Sequence, residues 1–314
     1  MTKLFGLVRK LSAVKSGVLI VGESGTGKEL FARAIHFNGV TRERPFMPVN
    51  CGAIPDSLIE SELFGYRRGA FTGAIRDKMG YFEAANRGTR FLDEISTLPL
   101  NVQSSLLRVL EDKSVVPVGD TRPRSVDVRI IAASNRDLEK MVEQKVFRED
   151  LLYRLNVVTL ELPPLRQRKG DIPALVSHFL QKYSQQMNRR VDCVTNAAMR
   201  AMLTHEWRGN VRELANVIER AVIFSEDRPI GVEDLPFAVE SQEDDGENLR
   251  EAMHQFERQH IIQTLRRHRY DKSETAAHLG IGVSSLYRKL DELGIAKNIQ
   301  EQEQPKEEQG ASDS

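Results

Sequence analysis

The chain has 314 residues, 40% of them hydrophobic and 29% charged, a soluble globular composition with room for two or three domains. Its 45 Lys and Arg balance 45 Asp and Glu, so no global positive field marks a nucleic-acid binder, and any such site has to be local. Cys51 and Cys193 stand far apart without metal-ligand spacing around them, which argues against a disulfide scaffold or zinc site and suits a reducing compartment. The first residues, MTKLFGLVRKLSAVKSGVLIVG, offer neither an apolar run of spanning length nor a small-residue cleavage site, so a cytoplasmic protein without a membrane segment is expected.

From Val18 to about Leu160 short apolar runs alternate with amphipathic stretches, which predicts an α/β unit built on a parallel sheet flanked by helices. Strands are predicted at 18–21, 46–50, 89–92, 129–134 and 157–162. The first strand leads into a glycine-rich turn and a helix. Across Gly22, Glu23, Ser24, Gly25, Thr26, Gly27, Lys28 and Glu29, the glycines let backbone N–H groups face phosphate oxygens while Lys28 and the helix N-terminus add positive potential. The usual phosphate-loop pattern ends in Ser or Thr on Mg²⁺; here the position is Glu29. Asn50 closes the second strand. Further on, Gly69, Ala70, Phe71, Thr72, Gly73 and Ala74 spell GAFTGA, a segment without catalytic groups whose plain reading is a turn with Phe71 folded inward.

Asp93 and Glu94 directly follow the buried-looking strand TRFL. A carboxylate there can hold Mg²⁺ and its neighbour can polarise water, or the pair can cap a helix. Ser134 and Asn135 end the fourth strand, where the amide can orient water near a γ-phosphate or cap the next helix. Arg148, Arg154 and Arg212 are candidate charge clamps for a phosphoryl transition state. After Pro163 and Pro164 helical spacing takes over, with Ile172, Leu175, Val176, Phe179, Leu180 and Tyr183 on one face and a second helix over 211–224. Residues 240–247, ESQEDDGE, read as a solvated linker. Beyond Leu249, a helix through Ala276, Ala277 and Leu279, a turn at 280–283 and a helix with Leu286, Leu290 and Leu293 inward form a helix-turn-helix pattern. Ser284, Ser285, Tyr287, Arg288 and Lys289 are then left to face DNA, with Arg266, Arg267, Arg269 and Lys272 clustered ahead. A helical dimerisation hairpin is the other reading of this stretch.

Taken together and in this order, GESGTGKE, ESELFG, GAFTGA, FLDE, FREDLLYRL, LPPLRQR and GNVREL resemble the sigma-54-dependent transcriptional activators, the NtrC-like bacterial enhancer-binding proteins, over nearly the whole chain. The resemblance implies an AAA+ P-loop ATPase at 1–165, a helical lid at 166–238, an acidic linker at 239–248, a Fis-type helix-turn-helix at 249–296 and a disordered tail at 297–314. It implies ATP and Mg²⁺ as cofactors, with Asp93 on the metal and Glu in the last phosphate-loop position as the family commonly has it. It implies that GAFTGA engages sigma-54 through Phe71 and Thr72, that Asn50 pairs with Glu94 as a switch, that Arg148 and Arg154 reach a neighbouring subunit, and that Arg212 is a sensor on the lid. The implied partners are sigma-54 RNA polymerase holoenzyme, enhancer double-stranded DNA and further copies of the chain, from a dimer to a hexameric or heptameric ring. Two departures accompany it. Arg208 stands where the family usually has proline, which is expected to loosen a turn. The chain also starts late, so a separate regulatory protein or a truncated gene is expected. A DNA-binding repressor with a vestigial ATPase, and an unfoldase or helicase loader, are the competing functions.

Overall fold

The computed structural model describes residues 2–225 and 227–237, and 257–295 apart from 259, 263, 266, 267, 269 and 294. The chain divides into two units, Met1–Pro236 and Phe237–Ser314. The linker and tail predicted at 239–248 and 297–314 lie outside the described residues, as do Arg266, Arg267 and Arg269.

In the first unit α1 (Thr2–Ser12) precedes β1 (Val18–Val21), and α2 (Lys28–Phe37) leads to β2 (Phe46–Asn50). α3 (Asp56–Phe64) runs into an antiparallel ribbon of β3 (Gly65–Tyr66) and β4 (Lys78–Met79), followed by the short α4 (Tyr81–Ala84) and by β5 (Thr89–Asp93). After α5 (Leu100–Asp112) a second ribbon, β6 (Ser114–Val115) with β7 (Arg124–Ser125), precedes β8 (Arg129–Ser134). α6 (Leu138–Glu143), α7 (Glu149–Leu155) and β9 (Thr159–Glu161) complete the α/β part, and α8 (Ile172–Met187), α9 (Asn196–Thr204) and α10 (Asn210–Phe224) form the lid.

The sheet runs β2-β5-β8-β1-β9, all pairs parallel. Covered by helices on both faces, its strands have to be apolar throughout rather than alternating, and β8 is buried along its whole length. On one face Leu19, Leu92 and Ala132 pack with Leu63, Leu106, Leu138 and Leu151. On the other, Ile20, Phe91 and Ile131 pack with Phe31 and Ile35 of α2 and with Val8 and Leu11 of α1. Burying two such α1 side chains contributes about 2 kcal/mol each, enough to anchor an N-terminal helix that the strand-and-loop reading overlooked.

The predicted strands at 18–21, 46–50 and 129–134 coincide with β1, β2 and β8. The predicted 157–162 shortens to Thr159–Glu161, because β9 is an edge strand whose ladder is with the four-residue β1 alone. In the lid, Ile172, Val176, Leu180 and Tyr183 are buried with Leu214, Ile218 and Val222. The turn expected to loosen at Arg208 closes, with Asn210 N donating to Trp207 O at 2.8 Å. Arg208 is exposed and pairs with Glu206 at 3.0 Å, so solvent accommodates the side chain that replaces a proline ring.

In the second unit α11 (Lys272–His278) and α12 (Val283–Glu292) enclose Ala276, Leu286 and Leu290 with Ile261, Leu265 and Leu293. Val283 belongs to the second helix rather than to the turn.

Candidate functional site

The glycine-rich segment joins β1 to α2 at the carboxyl end of the sheet, where open α/β folds bind ligands. Gly25 and Gly27 take φ of 77° and 99°, a region that costs a Cβ-bearing residue about 1–2 kcal/mol. At Gly25 a Cβ would also lie 2.2 Å from Gly209 O, so any side chain there is excluded twice. Lys28 opens α2 and is 8% exposed, its Nζ donating to Gly22 O at 2.8 Å and Glu23 O at 3.0 Å. Burial lowers its pKa against the raising pull of Asp93 and Glu94. A cation held by two carbonyls, beside backbone turned by left-handed glycines, is chemically suited to exchange those carbonyls for phosphate oxygens. Glu29, in the position that usually carries a hydroxyl, pairs along its own helix with Arg33 at 2.7 Å.

β2 and β5 run in register, so Asn50 stands beside Asp93. Burial raises the Asp93 pKa, opposed by the Glu94 N–H and by Lys28; the N–H donates to Asp93 Oδ1 at 3.0 Å. Glu94 adopts φ 55°, and its carboxylate lies against Gly52, where a Cβ would come within 2.3 Å of Oε2. Asn50 does not bond Glu94 as the resemblance implied; its Oδ1 accepts from Gly52 N at 2.8 Å. Both groups therefore flank one glycine. Ser134 is fully buried and folded back, donating to Arg136 O at 2.7 Å, whereas Asn135 is exposed and faces a cleft of about 500 Å³ shared with Gly22, Glu23, Asn156 and Glu161. Asp93, a half-buried carboxylate beside the loop, is a residue suited to a divalent cation.

The lid closes on the loop through residues the sequence reading passed over. Asn210 is 0% exposed; Oδ1 accepts from Leu165 N at 2.8 Å, and Nδ2 donates to Ser24 O at 3.0 Å and Glu23 Oε2 at 3.1 Å. Arg166 grips Glu23 with two bonds, at 2.8 and 2.5 Å. This holds the Glu23 carboxyl near pKa 2. Arg168 donates to Thr26 O at 3.0 Å, and Val211 N to Gly25 O at 3.0 Å. Arg212, the predicted sensor, donates to Ser24 Oγ at 3.1 Å. The signal for Arg166, Arg168 and Asn210 lay in LPPLRQR and GNVREL, but only as motif letters without partners.

Arg148 precedes α7 and bonds Asp150 at 3.0 and 2.6 Å and Ser104 Oγ at 3.0 Å. Arg154 is exposed on α7, next to Tyr153 at 82% exposure. Neither touches the phosphate loop of its own chain among the described residues.

GAFTGA caps the β3–β4 ribbon. Gly69 and Gly73 take φ of 84° and 101° and no atom crowds them, while Gly69 N to Ala74 O at 2.9 Å closes the loop. Phe71 is 41% exposed, resting edge-on against Tyr66 with ring centres 4.9 Å apart, so it is not the inward plug of the plain turn reading. Thr72 is exposed. The loop's base is clamped by Arg67, which pairs with Asp77 and, at 2.7 Å, with Asp120.

In the second unit Asp271 caps α11 by accepting from Ser273 N and Glu274 N at 2.8 and 2.9 Å. Ser284, Tyr287 and Arg288 are exposed on α12 and Ser285 is half-buried. Lys289 departs from this set, its Nζ pairing with Glu257 at 2.6 Å. Lys272 covers the Tyr287 ring at 5.2 Å.

Comparison with protein families matches residues 1–161 to the sigma-54 interaction domain, 166–252 to the AAA+ ATPase lid domain and 252–293 to the bacterial regulatory protein Fis family. The regulatory protein AtoC of Escherichia coli is 47% identical over 296 residues, covering 91% of this chain and 64% of AtoC. The DNA-binding transcriptional regulator NtrC of Proteus hauseri is 40% identical, covering 94% and 68%. Among solved structures, NtrX from Brucella abortus in complex with ATP superposes with a TM-score of 0.73 at 35% identity, over 94% of this chain and 68% of NtrX. The chain thus spans less than two thirds of AtoC.

Proposed function

We propose a function from one premise: the chain belongs to the family of sigma-54-dependent transcriptional activators, with a nucleotide-binding AAA+ domain, its lid and a Fis-type helix-turn-helix. It hydrolyses ATP and spends the resulting motion on sigma-54 RNA polymerase, converting a closed promoter complex to an open one while the C-terminal unit holds enhancer DNA. The observation that carries this is a buried lysine-and-carboxylate site at the parallel sheet together with an exposed GAFTGA loop on the separate β3–β4 ribbon of the same unit: Asp93 and Lys28 are half-buried to buried, Phe71 and Thr72 exposed.

In this reading Lys28 leaves Gly22 O and Glu23 O for the phosphates, and Arg212 follows from Ser24. Mg²⁺ accompanying the nucleotide would neutralise phosphate charge, and Asp93 is the residue to hold it. Glu94 polarises the attacking water, Asn135 orients it, and Asn50 shares Gly52 with Glu94 so that a shift of that carboxylate is felt at the end of β2. Arg148 and Arg154 act on a neighbouring subunit's site, which requires a ring; Arg148 then exchanges Asp150 for phosphate. Ser284, Ser285, Tyr287 and Arg288 face DNA. A repressor with a vestigial ATPase is not favoured by the family, and an unfoldase or loader leaves GAFTGA without a role.

The test is ATP-dependent open-complex formation with purified sigma-54 holoenzyme on a supercoiled sigma-54 promoter. Wild type should open the promoter, and Thr72→Ala should keep ATP turnover within about twofold while opening fails, because Thr72 lies outside the phosphate site. ATP turnover without opening by the wild-type chain would refute the proposal.

A further inference from the structure

Strand β5 carries an arginine where a parallel strand covered on both faces ordinarily carries an apolar side chain. Arg90 is 1% exposed, and among the described residues no carboxylate pairs with it. Its Nη1 donates to Met47 O at 3.1 Å and its Nη2 to the Met47 thioether at 3.9 Å, while Nε has no partner. The guanidinium lies 5.3 Å from the Tyr81 ring centre and 5.9 Å from that of Phe82. Burial drags its pKa down to about 10. A buried cation without a counter-ion is costly, and an apolar residue of similar volume is often the more stable choice; the arginine therefore asks for a use.

Its neighbours lead to both strands of the GAFTGA ribbon. Phe82 stacks on Phe64, centres 5.6 Å apart and planes at 11°, and Phe64 directly precedes Gly65, the first residue of β3. The Tyr81 phenol bonds Glu62, which accepts from Lys78 Nζ at 2.5 Å, and Lys78 begins β4. In the other direction, Arg90 is three residues ahead of Asp93 on β5, and Met47 is three ahead of Asn50 on β2. One guanidinium thus ties together the two strands that lead to the acidic pair and to Asn50, and reaches β3 through the stacked rings of Phe82 and Phe64 and β4 through Tyr81 and Glu62.

We propose that Arg90 is a positioning residue that transmits relative displacement of β2 and β5 to the base of the GAFTGA ribbon through the Tyr81–Glu62–Lys78 and Phe82–Phe64 contacts. The role rests on the function proposed above. A guanidinium suits it because its rigid plane can bond the backbone of β2 and lie over two rings at once. A leucine could fill the space but would hold neither the carbonyl nor the ring faces by charge.

The experiment uses the full chain with the exposed thiol removed (Cys193→Ser) and a solvent-sensitive fluorophore on Ile75→Cys, at a position 83% exposed beside GAFTGA. Emission is compared with ADP and with ADP–aluminium fluoride, together with ATP turnover and thermal unfolding. With otherwise native sequence, the labelled protein should give a nucleotide-dependent shift. Arg90→Met should unfold at the same or a higher temperature and keep turnover within about twofold, while the shift and open-complex formation fall about tenfold, a value within the usual coupling range. Arg90→Met with the shift retained overturns the role, as does a joint loss of turnover, shift and thermal stability, which marks a merely structural residue. If Arg90→Met does not fold, Tyr81→Phe decides: it keeps the ring and removes the Glu62 bond, so a reduced shift at unchanged turnover supports the relay, and an undiminished shift overturns it. A labelled protein with Arg90 intact that gives no nucleotide-dependent shift but does open promoters refutes only the relay; one that neither shifts nor opens promoters refutes the function beneath it as well.

Discussion

Asn210→Ala is the sharpest perturbation of the joint between lid and phosphate loop. Three losses combine. Leu165 N, whose acceptor is Asn210 Oδ1 in a buried bond of 2.8 Å, becomes an orphaned donor, costing about 1–3 kcal/mol. The Nδ2 bonds to Ser24 O, Glu23 and Arg208 O contribute about 1 kcal/mol as a shared, partly solvated set. The backbone at φ 57° suits asparagine but costs alanine about 1–2 kcal/mol. The total is about 3–6 kcal/mol. Asn210→Gly removes the torsional part, so it should be milder than alanine by about 1 kcal/mol once glycine's greater chain entropy is subtracted. The assay is urea unfolding followed by Trp207, the single tryptophan, fully buried three residues from the substitution. An Asn210→Ala midpoint corresponding to less than about 0.5 kcal/mol, or a glycine variant as unstable as alanine, would refute this account of the joint.

Other consequences are open to measurement. Lys28→Ala should weaken nucleotide binding, while Glu94→Gln should retain binding and lose hydrolysis, because in the proposed function one holds phosphate and the other acts on water; equal loss of binding in a nucleotide titration would remove that distinction. Arg166 holds Glu23 down from its ordinary 4.5 to about 2. A depressed carboxyl contributes stability that is present above its unfolded pKa and is lost as pH falls through the folded one, so acid unfolding should steepen between about pH 4.5 and 2, and Arg166→Ala should flatten that limb; parallel acid-unfolding curves would contradict it. Arg148→Ala and Glu94→Gln proteins should each lose ATPase activity by a factor on the order of 10³. Mixed in equal amounts they should recover up to about one quarter of wild-type turnover, the fraction of interfaces pairing an intact acidic site with an intact arginine in a closed ring. Subunit exchange without recovery would show that Arg148 does not act in trans.

Features whose cause is local were legible in the residues alone. VLIV, FMPVN and RIIAAS are strands because a sheet covered on both faces admits unbroken apolar runs, and they are found where predicted. Gly25 and Gly27 announce a left-handed turn because glycine takes that region without strain, and φ values of 77° and 99° follow. The helix-turn-helix is legible from Leu286, Leu290 and Leu293, all buried, since their spacing alone defines a face. What these elements touch depends on how the chain packs in three dimensions. Glu23, Arg166 and Asn210 meet although up to 187 residues separate them, and no period or spacing rule encodes a contact made by folding a lid over a loop. Lys289 shares a helix with Arg288, yet pairs with Glu257, a residue 32 positions earlier in the chain that folding brings beside it. Arg90 reads in sequence as a polar interruption of a strand. Its meaning depends on β2 lying next to β5 and on Tyr81 and Phe82 arriving beneath them, a placement set by sheet order and by the burial of apolar faces across the whole unit.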